Sequence, residues 1–183
     1  MRKLLFIAML IIASVSASAQ YYIGGAVGVY REFDKNYTEF SILPEVGYNF
    51  NDSWAVGAQL GYQHQYKQGL SINLGIINPY ARWTYFRSSN NMVSLFVDGG
   101  VDLGFGASKY KDNDSSYTNF VYGICFKPGI SINPTEKFSI IAHLGGLYYE
   151  NGNDAAKDSG AVTPNFGLNF KTTSLNLGFI YNF

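Results

Sequence analysis

The sequence predicts an all-β protein, an eight-stranded antiparallel up-and-down transmembrane β-barrel. Three observations carry that expectation. Runs of about ten residues alternate between large apolar and small or polar side chains, the period-two signature of a strand. Charged residues make up only 14% of the 183 residues while aromatics reach 17%, against about a quarter charged in an ordinary soluble domain. The connections alternate in character, short polar turns at one end and mostly longer loops at the other, which is the layout of an outer-membrane barrel.

The same numbers exclude other classes. A disordered chain would be poor in aromatics, and a disulfide scaffold needs more than the single Cys125. A formal net charge of 0 removes the global electrostatic argument for nucleic acid. Mean hydropathy is −0.02, and no segment offers 18 consecutive apolar residues, so no membrane helix is expected.

Residues 1–19 read as a signal peptide. Arg2 and Lys3 precede an apolar run, Leu4 to Ala13, and small residues end in Ala17-Ser18-Ala19. Basic, apolar and A-x-A parts in that order mark a secretory signal, too short to anchor as a bilayer-spanning helix. Cleavage after Ala19 leaves one domain, residues 20–183, slightly acidic and exported. Cys125 is then alone in a compartment that permits disulfides, so no intrachain disulfide is possible.

Eight alternating runs follow, at about 21–31, 39–50, 54–65, 70–86, 92–107, 119–132, 137–149 and 166–183. The last is the clearest, with Leu175, Leu177, Phe179, Tyr181 and Phe183 on one face and Asn176, Gly178, Ile180 and Asn182 on the other. Tight turns are expected at Asn51 to Ser53, Arg87 to Asn91 and Asn133 to Glu136. Longer loops are expected at Glu32 to Thr38, Ser108 to Thr118 and Glu150 to Asn165, with a short one near Lys67 to Gly69. In 70–86 the apolar parity changes between Ile72, Leu74, Ile76 and Ala81, Trp83, Tyr85, which predicts a bulge near Ile77 to Pro79. Pro44, Pro79 and Pro128 recur on outward parity before tight turns, and each suggests a local bulge because proline removes a ladder donor.

The alternation fits two architectures. In a soluble sandwich the apolar face packs inward; in a membrane barrel it meets lipid and the small, polar face fills the lumen. Aromatic placement favours the barrel. Phe50, Trp54, Trp83, Tyr85, Phe138 and Tyr181 form a girdle near the tight turns, with Phe183 beside them. Tyr30, Phe40, Tyr62, Tyr66, Phe105, Phe120, Tyr122, Tyr148 and Phe170 form a second band near the loops. Aliphatic residues lie between, as two bilayer interfaces around a hydrocarbon core require. A ten-residue strand tilted by about 40° covers roughly 25 Å, enough for the apolar band.

On the inferred inner face lie Glu45, Arg82, Asp98, Asp102 and Lys127, at similar distances from the tight turns and hence at similar heights. An eight-stranded interior is just wide enough for side chains to fill it. Buried charges there must pair, so the five are expected to form a lumen ion-pair network. An ion path and a structural plug both fit; the narrow interior favours the plug.

Chemistry is sparse. His64 falls on lipid-facing parity near the loop rim and His143 on inner parity; neither has a serine two residues away on its own face, though Ser71 could lie across the hairpin from His64. No catalytic residue, cofactor or metal site is therefore expected. Asp112-Asn113-Asp114 begins like a calcium loop but lacks the downstream Gly and Glu. Cys125, inward, reads as a small packing residue.

The signal ending Ala-Ser-Ala-Gln, Leu43-Pro44-Glu45-Val46-Gly47-Tyr48, Pro79-Tyr80-Ala81-Arg82-Trp83 and the terminal Leu177-Gly178-Phe179-Ile180-Tyr181-Asn182-Phe183 together resemble the outer-membrane β-barrel domain family, small porin-like barrels similar to the OmpX and OmpW types and abundant in Bacteroidetes. The resemblance covers the whole chain after the signal. It implies an eight-stranded barrel with both termini in the periplasm, and Phe183 as the C-terminal assembly signal read by the barrel-assembly machinery. It implies location in the outer membrane, with its lipids as partners, and no single activity. The expected role is non-enzymatic, structural or surface-interacting, in a monomer whose loops present Tyr37, Tyr110 and Tyr117 to an extracellular partner. The alternative is a narrow conduit for small or apolar solutes, as proposed for OmpW-like barrels.

Overall fold

The computed structural model describes residues 20–34, 36–111, 116–169 and 175–183. The signal peptide expected at 1–19, the Asp112-Asn113-Asp114 stretch and Phe170 lie outside them. Ten strand segments are described: β1 (Tyr21–Glu32), β2 (Tyr37–Asn49), β3 (Trp54–Lys67), β4 (Leu70–Arg87), β5 (Val93–Tyr110), β6 (Ser116–Ile132), β7 (Phe138–Leu144), β8 (Gly146–Gly152), β9 (Asn165–Asn169) and β10 (Leu175–Asn182). A short helix, α1 (Asp154–Asp158), stands between β8 and β9.

These segments make eight staves. β7 and β8 both pair with β6 and form one stave, and β9 and β10, paired to β8 and β7 respectively, form another. Every neighbouring pair is antiparallel, and pairing of β1 with β10 and of β5 with β6 closes the wall. Closure leaves few free sheet edges, which a strand in hydrocarbon cannot tolerate. At the turn end the ring is tied by backbone bonds between neighbouring turns, including Thr84 N to Ser53 O (2.8 Å), Asn133 N to Met92 O (2.8 Å) and Phe183 N to Tyr21 O (3.2 Å). At the loop end, Gln68 and Gly69 close β3 to β4 in two residues with φ of 48° and 90°. Both left-handed, they make the turn whose twist matches its flanking strands.

Side chains sort by parity as a lipid-embedded wall requires. Val46, Val56, Leu60, Val101, Ile124, Leu177 and Phe179 are exposed on the outside. A belt of that size facing water would be an aggregation surface; facing acyl chains it is satisfied. The girdle residues Phe50, Trp54, Trp83, Tyr85, Phe138 and Tyr181 are exposed at the turn end. Trp54 and Trp83 pair across β3 and β4 with stacked rings 6.2 Å apart, and Tyr181 packs edge-on against Phe183 at 5.4 Å.

Three sequence expectations are corrected. No bulge lies at Ile77 to Pro79: the β4–β5 register is unchanged from Ile77↔Leu103 to Tyr80↔Gly100 and slips only between Thr84 and Phe86. The change of apolar parity at 70–86 is real, but its cause is the interior. Leu70, Ile72 and Leu74 face inward with Val121, Ala156 and Val162 in an apolar cluster. Strands of 17 and 18 residues (β6, β4 and β5) outrun the hydrocarbon, and their loop ends enclose a small core of their own. The second correction concerns the prolines. Each is paired on one side, Pro44 to Gly25, Pro79 to Ala58 and Pro128 to Val97. On the other side the ladder is interrupted, and only at Pro128 does the register change. At Pro44 and Pro79 the missing N–H leaves one ladder incomplete without displacing the strand, whereas at Pro128 the facing stave bulges as expected.

The third is Tyr148. Opposite Lys127 and Pro128, the stave holds Leu144, Gly145 and Gly146, one residue too many, with Gly145 at φ 86°. This bulge reverses the parity. Ser139, Ile141 and His143 point inward before it; after it Tyr148 points inward and Tyr149 outward, so Tyr148 is not part of the loop-end aromatic band.

Segment 152–162 folds back over the loop-end mouth as a lid. Asn153 caps α1, its Oδ1 accepting from Ala156 N (3.0 Å) and also from Phe120 N (3.1 Å), while its Nδ2 donates to Thr118 O (3.0 Å). Ala156 and Ser159 are fully buried, and Ser159 bonds Asn119 and Ser108 on the inner wall. Asn153→Ala removes the cap and the clip together and is expected to cost about 1 kcal/mol. The measurement is hydrogen exchange of residues 153–162, which should quicken while the strands' protection stays unchanged; uniform exchange across both would contradict a locally clipped lid.

Candidate functional site: a septum across the lumen

The inner face on the turn side of the strands' middle, where Arg82 adjoins the girdle residue Trp83, carries a connected set of polar and aromatic groups. Strand register builds it. Tyr22, Gly47, Gly57 and Tyr80 occupy one row across β1, β2, β3 and β4. A Cβ at Gly47 would strike the Tyr22 ring, and one at Gly57 would strike both tyrosines. The two glycines therefore let both rings lie over the wall, and their hydroxyls meet at 2.7 Å. The same device recurs on the far side. Phe96, Gly129 and His143 share a row, and the Phe96 ring lies over Gly129 to meet the His143 imidazole edge-on at 5.4 Å.

The charges fit between these aromatic struts. Arg82 makes a two-pronged pair with its register partner Asp98, Nε to Oδ1 at 2.7 Å and Nη2 to Oδ2 at 2.8 Å. Its guanidinium carbon stands 4.3 Å from the Phe96 ring centre and 5.3 Å from that of Tyr80. Asp98 Oδ2 is also 2.8 Å from His143 Nε2. Glu45 lies 3.8 Å from Arg82 Nη2, accepts from Gln59 Nε2 at 3.0 Å, and accepts from the Tyr80 hydroxyl. Tyr22, Tyr80, Glu45, Arg82, Asp98 and His143 thus form one chain of contacts spanning the interior. Two carboxylates and one guanidinium are held out of water with hydrogen-bond partners on each, the condition under which buried charge is tolerated.

Of the five charges read as inward, Glu45, Arg82 and Asp98 are in this chain. Asp102 and Lys127 lie toward the loop end in a separate group, with Lys127 Nζ 3.5 Å from Asp102 and Asn78 also donating to it. That second group is partly exposed to the lumen. Sequence reasoning missed Tyr22, Tyr80, Phe96, Gln59 and Asn78 as members, and placed His143 inward without identifying Asp98 as its partner. The signal that could have found the aromatic struts is inner-parity glycine beside inner-parity aromatics on adjacent strands. Ser71 is not opposite His64: the register sets Tyr66 against Ser71 and Asn73 against His64, whose Nδ1 is 2.8 Å from Asn73 Oδ1. Cys125 faces inward and is buried.

The chain divides the lumen into two cavities. The turn-end cavity, about 680 Å³, has Tyr22, Arg82 and Phe96 in its lining together with Asn49, Ser94, Ser131 and Asn182. The loop-end cavity, about 590 Å³, is lined by Tyr80, Asp98 and His143, by Lys127 and Asp102, and by Leu74, Ile76 and Val121. The septum is the layer they share.

A closed antiparallel barrel with an apolar outer belt, aromatic girdles and an interior crossed by packed side chains defines an integral membrane β-barrel of the outer-membrane class. Residues 4–183 match the family model described as outer membrane protein beta-barrel domain, and the chain belongs to that family. The family places it in the outer membrane. Among solved structures it is similar to the N-terminal β-barrel domain of Pseudomonas aeruginosa OprF, at 13% identity and a TM-score of 0.54, over 91% of this chain and 98% of that one. At that identity the likeness concerns the fold alone. No curated relative matches the chain.

Proposed function

We propose that the protein is a non-enzymatic outer-membrane barrel with a closed lumen, serving a structural or surface-interaction role as a monomer. One observation carries the reading: the Arg82–Asp98 pair, flanked by the Tyr22–Tyr80 and Phe96–His143 struts, crosses the interior on the turn side of the strands' middle. Moving a solute past it means parting a buried, doubly hydrogen-bonded ion pair, which costs several kcal/mol. The loop-end surface, where Tyr110 and Tyr117 pack edge-on at 6.4 Å, offers aromatic groups to an extracellular partner. Export through the signal peptide and insertion by the barrel-assembly machinery through Phe183 belong to the same reading.

The test is solute flux into liposomes carrying the refolded mature chain. Swelling in small sugars should equal that of empty vesicles. Flux clearly above the empty-vesicle rate overturns the closed-lumen reading. A second reading, a conduit for small or apolar solutes, is favoured by Leu74, Ile76 and Val121, an apolar wall in the loop-end cavity. Flux of apolar but not of sugar probes is the outcome that selects it.

A further inference from the structure

We propose that the turn-end cavity binds an N-acetylated hexose, with the acetamido group seated on its floor. That floor is apolar. Tyr22, Ala55, Phe96, Ile141 and Ile180 form one buried cluster, and all but Ala55 line the cavity. A guanidinium interrupts it, since Arg82 lines this cavity and not the loop-end one. Asp98 holds Nε and Nη2, and Glu45 stands beside Nη2, while Nη1 has no hydrogen-bond partner among the described residues. The Arg82 side chain is only 10% exposed, so the Nη1 donors serve what occupies the cavity.

The charge around Nη1 selects a neutral acceptor. Two carboxylates already face the guanidinium, and Asp52 and Glu136 line the same cavity against Arg87. A further anion would meet like charge; an amide carbonyl accepts the hydrogen bond without it. Strand register supplies the wall. Asn49, Ala55 and Arg82 share a row, and Asn182 lies opposite Tyr22, so the two amides meet at 3.4 Å beside the floor. That contact uses Asn49 Nδ2 and Asn182 Oδ1, and leaves Asn49 Oδ1 and Asn182 Nδ2 open among the described residues. Ser139, opposite Ile180, adds a hydroxyl. An N-acetylated sugar matches each part: its methyl meets Ile141 and Ile180, its carbonyl meets Arg82 Nη1, and its hydroxyls meet Asn49, Asn182 and Ser139. The volume of about 680 Å³ lies within the range of small-molecule sites. Entry is from the turn end, so binding does not depend on whether the septum seals. The sugar is either free or the terminal unit of a glycan chain.

The experiment uses the full mature chain in nanodiscs of phosphatidylcholine, titrated with N-acetylglucosamine and read by saturation-transfer NMR. The acetamido methyl should take the strongest transfer, and glucose, which lacks that group, should bind about tenfold more weakly. Asn182→Ala should weaken binding about fivefold, the loss of one hydrogen bond. Ser139→Leu fills the cavity beside Ile180 and should abolish binding, while heat-modifiable gel mobility shows the barrel still folded. Should Ser139→Leu fail to fold, Asn182→Ala alone carries the test, since its side chain lies at the end of β10. A soluble oligomer of N-acetylglucosamine that binds more tightly than the monomer assigns the end of a glycan chain; equal affinity assigns the free sugar. Absent transfer from the N-acetylated sugar, equal binding of glucose, or unchanged affinity in the folded variants overturns the proposal, whatever the flux assay gives.

Discussion

Arg82→Ala is expected to destabilise the folded barrel by about 3–5 kcal/mol, because it leaves Asp98 and Glu45 as buried carboxylates without their shared cation. The comparison is Arg87→Ala. Arg87 is exposed at the turn end, where it donates to Asp52 O at 2.7 Å, and its loss should change stability by no more than about 0.5 kcal/mol. Arg82→Lys should fall between the two, since an ammonium restores charge without the two-pronged geometry or the stacking on Phe96. Urea unfolding in lipid vesicles, followed by gel mobility, measures all three. Equal midpoints for the Arg82 and Arg87 variants would contradict the placement of Arg82 in a dry septum.

Phe96→Ala should be comparably severe, about 3–5 kcal/mol. Its side chain is 1% exposed, it covers the Arg82 guanidinium, and it fills the space left by Gly129. Truncation opens a void beside the Arg82–Asp98 pair and unseats the His143 ring that packs edge-on against it. The void opens between the two cavities, since Phe96 lines one and its ring partner His143 lines the other. The variant should therefore show sugar flux that the unmodified chain lacks, in proteoliposomes whose gel mobility confirms folding. A folded, destabilised variant that stays impermeable would mean that Arg82 and Tyr22 alone seal the lumen.

These two experiments differ in what they ask of the sequence. Arg82 and Asp98 were legible because alternation assigns each to the inner face and their distances from the tight turns give similar heights. Phe96 was legible as inward but not as a strut, since nothing in its own strand says that Gly129 two positions after Lys127 leaves room for its ring. Tyr22 and Tyr80 were harder still. They are 58 residues apart, and their meeting depends on two glycines from the strands between them. The apolar stripe of Leu70, Ile72 and Leu74 was read as a slipped register because an inward apolar residue needs a partner to pack on, and the lid that supplies it at the loop end comes from residues far along the chain.

Alternation with period two, aromatic bands and the spacing of turns were enough to determine the eight staves, their direction and which face meets lipid, because each is a local property of a strand and its neighbours along the chain. Which inward side chains touch was decided by closure. The wall's curvature and register bring strands distant in sequence to the same height, and a single extra residue at Gly145 turns Tyr148 from the membrane to the lumen. Contacts across a cavity depend on every residue in the ring at once, so they exist only when the barrel is shut.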